Sequence, residues 1–83
     1  MTRILVAEDD LEIAGPLART LQGAGYSVAL VADGLSALEK AKSTKPDMIV
    51  LDLGLPNMDG LDVCRNLRAQ KFDMPILILT ART

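Results

Sequence analysis

Apolar residues gather in four short runs, and the stretches between them repeat at helical spacing. The first run, Ile4-Leu5-Val6-Ala7, stops abruptly at Glu8-Asp9-Asp10. The second spans Ser27 to Val31. The third, Met48-Ile49-Val50-Leu51, also ends in an acid, Asp52, and the fourth, Pro75-Ile76-Leu77-Ile78-Leu79, ends at Thr80. Short runs with no polar alternation suit strands buried on both faces, as in a parallel sheet.

Between the runs the period lengthens. Ile13, Leu17 and Leu21, with Ala14 and Ala18 beside them, mark one face of a helix. Asp9 or Asp10 suits its N-cap and Gly25 its end, while Pro16 predicts a bend near Gly15-Pro16. Asp33-Gly34 reads as a turn. Leu35, Leu38 and Ala41 then predict a short helix to about Lys42, broken by Lys45-Pro46-Asp47. Gly54 to Met58 is a loop, Asp59 an N-cap, and Leu61, Cys64 and Leu67 mark a third helix to about Gln70. Strand and helix alternate three times before a last strand. That order predicts an α/β fold, a parallel sheet with right-handed crossovers and helices on both faces.

Composition narrows the function. The 83 residues carry a net charge of −2 and include no basic run, which argues against direct nucleic-acid binding by this segment. Hydrophobic residues make up 49% but aromatic ones only 2%, so aliphatic side chains must fill the core, Met48, Met58 and Met74 among them. Cys64 is the sole cysteine; no intrachain disulfide can form, and a small core side chain is the simplest role for it. Glu8, Asp9 and Asp10 interrupt the first apolar run too early for a signal peptide, and no stretch approaches the ~20 apolar residues of a membrane span. The expected location is the cytoplasm, with no membrane contact.

The chemistry is expected where strands end. Parallel strands bring their carboxyl ends to one edge of the sheet, the edge that binds ligands in doubly wound folds. If the first and third strands are neighbours, their ends lie ~5 Å apart, and Glu8, Asp9 and Asp52 converge. Three carboxylates in one pocket repel unless some are protonated or a cation neutralises them. Oxygen donors with room for water favour Mg2+, which also recruits phosphoryl oxygens. One carboxylate can then attack phosphorus, and Thr80 offers a hydroxyl from the next strand end. Asp10 and Asp59 are more simply helix caps, and Asp33 a turn residue.

Three segments carry a resemblance: Ile4 through Asp10, Asp52-Leu53-Gly54-Leu55-Pro56-Asn57-Met58-Asp59-Gly60, and Ile78-Leu79-Thr80-Ala81-Arg82. In this order and spacing they resemble the successive signatures of receiver domains of bacterial two-component response regulators, in wording most like the winged-helix (OmpR/PhoB-like) subfamily. The resemblance implies a flavodoxin-like sheet of order 2-1-3-4 over the strands present, β1-α1-β2-α2-β3-α3-β4. It implies Asp52 as phosphoacceptor and metal ligand, Glu8 and Asp9 as the acidic pocket with Asp9 a direct Mg2+ ligand, a Gly54 backbone carbonyl on the metal, Thr80 as switch hydroxyl, and Ala81 leaving room for the phosphoryl group. It further implies a sensor histidine kinase as donor, since the chain has no histidine.

A receiver of this family carries a further helix, strand and helix, with a lysine that pairs the phosphoryl group and an aromatic switch residue. Residues 1–83 are therefore expected to be the N-terminal portion of one receiver domain, impaired as a phosphoacceptor on its own. Any DNA contact would come through an output domain outside the chain. An uncovered fourth strand predicts self-association, as a dimer through that strand or the apolar surface beside it. Two other readings compete. A receiver fold used only for docking is disfavoured by the intact acid set, while the lack of the lysine within these residues argues for it. A flavin or nucleotide binder is disfavoured by the acidic loop after the first strand, which has no glycine or hydroxyl cradle for phosphate.

Overall fold

The computed structural model describes residues 1–79; Thr80, Ala81 and Arg82 lie outside them. The described chain runs β1 (Arg3–Ala7), α1 (Leu11–Gly23), β2 (Ser27–Val31), α2 (Gly34–Thr44), β3 (Met48–Asp52), α3 (Gly60–Ala69) and β4 (Ile76–Leu79). The four strands form one parallel sheet of order β2-β1-β3-β4. This is the expected flavodoxin-like order. β1 and β3 are central because both their faces are apolar: Ile4, Leu5, Val6, Ala7, Ile49, Val50 and Leu51 are all buried.

The sheet divides the core in two. On one side Leu5, Ala7, Ile49 and Leu51 pack with Ala37 and Ala41 of α2 and with Val63 and Leu67 of α3. Leu55, Met74 and the partly buried Cys64 and Met58 join them. Ala37 and Ala41 are small, which lets α2 lie close to β1. On the other side Ile4, Val6 and Val50 meet Leu17 and Leu21 of α1.

Helix ends follow side-chain chemistry. Asp10 caps α1 by accepting from the Glu12 N–H at 2.9 Å, and Asp59 caps α3 by accepting from the Asp62 N–H at 3.0 Å. α1 continues through Pro16 as one helix. Gly25 takes a positive φ of 98° just beyond it, a conformation open to glycine at little cost. Lys45 takes the left-handed C-cap of α2 at φ 48°. The Arg3 side chain ties that helix end to the sheet, donating to the Thr44 and Lys45 carbonyls, and the Arg3 N–H donates to Asp47.

The phase of the helices corrects the sequence reading. Ile13, Leu35 and Leu61, each expected on a core face, are more than 40% exposed, whereas Ala14, Ala37 and Val63 are buried. A leucine on a helix flank can cover its neighbours without being buried itself. Asp33 is also corrected. It is the N-cap of α2, accepting from both the Ser36 N–H and the Ser36 hydroxyl. These bonds lower its pKa, the Ser36 N–H most. A lowered carboxyl pKa contributes stability that is present above the usual carboxylate range and is lost as pH falls through the folded value.

The two leucines of α3 should separate cleanly. Leu67→Ala removes a fully buried side chain and is expected to cost about 2–5 kcal/mol. Leu61→Ala, at a half-exposed position, should cost within about 0.5 kcal/mol. Urea unfolding of the intact protein and both variants checks the contrast.

Candidate functional site

Register decides which side chains meet at the carboxyl edge. Ala7 is level with Leu51 across the β1–β3 pair, so the next residues, Glu8 and Asp52, come level at the strand ends. The Glu8 N–H still donates to the Val31 carbonyl, which holds the chain extended one residue past β1. Beyond it the chain turns into α1. The Glu8 carboxylate accepts the Asp10 N–H at 3.0 Å, which leaves Asp9 exposed at the rim.

One oxygen from each of Glu8, Asp9 and Asp52 lies within 4.8 Å of the others. Glu8 and Asp52 are buried, at 3% and 1% exposure. Both oxygens of Asp52 are buried and have no hydrogen-bond partner among the described residues. A buried carboxylate that finds no donor costs several kcal/mol unless something else meets it. Among the described residues the one ion pair is Arg65 with Asp62, at 3.4 Å on the surface of α3. The pKa of Glu8 is raised, first by burial and further by the negative charge of Asp52, against the lowering effect of the Asp10 N–H bond.

The donor set is all carboxylate oxygen, the hard-ligand chemistry that Mg2+ takes. The two unmet Asp52 oxygens are what a cation would satisfy, so the residues present fit one. Gly54 lies close behind: a Cβ there would stand 3.8 Å from an Asp52 carboxylate oxygen. Thr80 and Ala81 fall outside the described residues. A separate cleft lies elsewhere. A cavity of about 110 Å3 lined by Arg3, Ser27, Lys40 and Thr44 sits at the amino ends of β1 and β2. It holds no acid cluster, and the chemistry of the carboxylates outweighs its shape.

Two residues that sequence reasoning passed over support this edge. Gly34 and Gly60 approach the loop after β3 so closely that neither position has room for a side chain. Each follows an aspartate at a helix start, a pattern visible in the sequence, but nothing in the sequence shows what lies against it.

A parallel sheet of order 2-1-3-4 with acids converging from the ends of β1 and β3 defines a flavodoxin-like fold with an acidic pocket at its carboxyl edge. The profile of the response regulator receiver domain family matches residues 4–83, and the chain belongs to that family. The response regulator MprA of Mycobacterium avium is 51% identical over 80 residues, covering 96% of this chain and 35% of MprA. The chain thus spans about a third of the length of the curated relatives it matches. Response regulator TrrA of Thermotoga maritima, solved in complex with Mg2+–BeF, superposes with a TM-score of 0.92 at 37% identity, covering 100% of this chain and 72% of that one. TrrA has also been solved in complex with histidine kinase ThkA. The receiver domain of sensor histidine kinase PA1611 from Pseudomonas aeruginosa, with magnesium in its active-site cleft, gives 0.93 at 37% identity, covering 98% of this chain and 68% of that one. Receiver domains bind Mg2+ at an acidic pocket, and Glu8, Asp9 and Asp52 form a cluster of that kind.

Glu8→Gln tests the electrostatics without a metal. Glutamine keeps an acceptor for the Asp10 N–H and removes the charge. A raised carboxyl pKa means that this group's stability is full below its unfolded value near 4.5 and is lost as pH rises through the folded value. Near neutral pH without divalent ions, Glu8→Gln should therefore be the more stable protein. A gain of about 1 kcal/mol would raise Tm by roughly 4–8 °C in a chain of this size. The difference should vanish below about pH 4, as thermal melts across pH will show.

Proposed function

We propose that Asp52 is the phosphoacceptor of this receiver, charged by the phosphohistidine of a sensor histidine kinase. The observation that carries the reading is the Asp52 carboxylate itself, buried beside Glu8 and Asp9 with both oxygens unpartnered among the described residues. A carboxylate kept for structure would have donors; one kept for chemistry needs its lone pairs free. An Asp52 oxygen attacks phosphorus while the phosphorus–nitrogen bond of the donor breaks. The bonding pair returns to the imidazole, and an acyl phosphate is left on Asp52. These 83 residues contain no histidine, so the phosphohistidine lies outside them. The TrrA–ThkA complex supports a kinase in that role.

Glu8, Asp9 and Asp52, with the Gly54 carbonyl, are the residues we assign to hold Mg2+. When bound, the ion supplies the positive charge that lets phosphoryl oxygens enter a pocket of three carboxylates. Asp9, exposed at the rim, is the direct side-chain ligand open to exchange with solvent. Glu8 sits deeper and sets the charge of the pocket. By the family resemblance we assign the switch hydroxyl to Thr80 and, to Ala81, the small side chain that follows it.

Residues 1–83 are read as the N-terminal portion of one receiver domain. Coverage of 68–72% of the solved receivers TrrA and PA1611 supports this. The whole protein is read as a cytoplasmic transcription regulator whose DNA contacts lie in a separate output domain; the likeness of the motifs to the winged-helix subfamily is what supports this. No helix among the described residues is long and apolar enough to cross a membrane. A polypeptide of residues 1–83 alone is read as self-associating. Among the described residues β4 pairs only with β3, and Leu77 on it is 52% exposed. An apolar edge of this kind is a template for pairing.

Incubation of the intact protein with acetyl phosphate and Mg2+ should add one phosphoryl group by mass, and Asp52→Asn should abolish it. Undiminished labelling of the variant overturns the assignment; a folded wild type that never labels favours a docking-only module. For residues 1–83 alone, sedimentation over a wide concentration range should show a dimer, and Leu77→Lys should shift it to monomer. A wild type that stays monomeric throughout would remove the case for self-association.

A further inference from the structure

The loop between β3 and α3 is held from two sides by glycines. Its base is closed by the Gly60 N–H donating to the Leu53 carbonyl at 3.1 Å. A Cβ on Gly60 would overlap the Asp52 carbonyl oxygen and stand 2.9 Å from Leu53 Cα. Its apex is gripped from α2, a different part of the chain. The Gly34 N–H donates to the Pro56 carbonyl at 3.0 Å, and the Met58 N–H donates to the same oxygen at 2.8 Å. A Cβ on Gly34 would overlap the Met58 carbonyl oxygen and lie 2.6 Å from its carbonyl carbon. These obstacles are backbone atoms, so no rotamer change relieves them; the loop or the helix must move. Gly34 is itself buried.

The Gly34 end of α2 is in turn fixed by Asp33, whose carboxylate takes the Ser36 N–H at 2.8 Å and the Ser36 hydroxyl at 2.9 Å. Asn57, at the loop apex, holds a positive φ of 70° and faces Asp33 closely enough to help lower its pKa. The capped first turn of α2 therefore seats on Pro56–Met58, and the loop it grips carries Gly54 and ends where Gly60 rests on the Asp52 backbone.

We propose that Gly34 is a positioning residue for the acidic site: its bare Cα lets the capped start of α2 clasp the Pro56–Met58 backbone, and that clasp sets the loop carrying Gly54 behind Asp52. For its functional meaning this rests on the Asp52 and Mg2+ reading above. Gly34 does not touch the carboxylates, and its effect runs through the loop. Gly23, at the end of α1, would meet nothing within 4 Å on gaining a Cβ and provides the matched control.

The test uses the intact protein and two readouts. Hydrogen exchange without metal should be at least about tenfold faster over residues 53–60 in Gly34→Ala than in wild type, and unchanged over β1 and α1. Mg2+ affinity by calorimetry should fall by about tenfold, equivalent to about 1.4 kcal/mol. Gly23→Ala should change neither. If Gly34→Ala does not fold, Asp33→Ala replaces it. Loss of the cap should loosen the same loop and weaken Mg2+, and Asp33→Asn, an equally good cap, should restore both. Loop exchange and Mg2+ affinity unchanged in Gly34→Ala, or in Asp33→Ala where that stands in, overturns the clasp. A wild type that binds no Mg2+ would instead sink the metal reading, while loop exchange still decides whether Gly34 grips the loop.

Discussion

A buried carboxylate that meets no donor among the described residues is the constraint on which the carboxyl edge of this sheet depends. Asp52 sits at the end of a central strand, where the surrounding chain is wholly apolar and the neighbouring side chains are acids. Water and backbone donors would ordinarily meet such a group. Here Glu8 beside it is pushed toward its neutral form by burial and by the Asp52 charge. The fold thus tolerates electrostatic strain at one edge, and a cation or a phosphoryl group's own partners can relieve it. Stability and function pull against each other at these residues, as expected where a site is organised for a ligand more than for the empty protein.

The rest of the molecule provides the rigidity that this requires. β1 and β3 are buried on both faces, so neither can slip in register without exposing a full row of side chains. Fixed register is what brings Glu8 level with Asp52. Alanines on α2 let it approach the sheet, and Gly34 lets its first turn reach the loop that follows Asp52. Close packing of small residues does here what large aromatic side chains do in other cores, which fits a chain with one tyrosine and one phenylalanine.

Strand positions, helix caps and the acid set were legible in the sequence because each is a local signal. An apolar run, an aspartate before a helix and an acid after a strand mean much the same wherever they occur. Helix phase was less legible. Ile13, Leu35 and Leu61 fit an apolar periodicity as well as their buried neighbours do, and periodicity alone cannot say which edge of an apolar stripe faces the sheet. Asp33 was misread because turn and N-cap use the same side-chain chemistry.

By itself the sequence determined the order of elements and which acids stand just after β1 and at the end of β3. Whether those acids meet was a question of strand neighbours. Glu8 and Asp52 are 44 residues apart in number and adjacent only because β1 pairs with β3. The tertiary structure also decided that Asp52 would be buried beside Glu8 and that Gly34 would lie against Met58. Both are facts about what surrounds an atom, and surroundings are set by packing between segments that no local pattern relates.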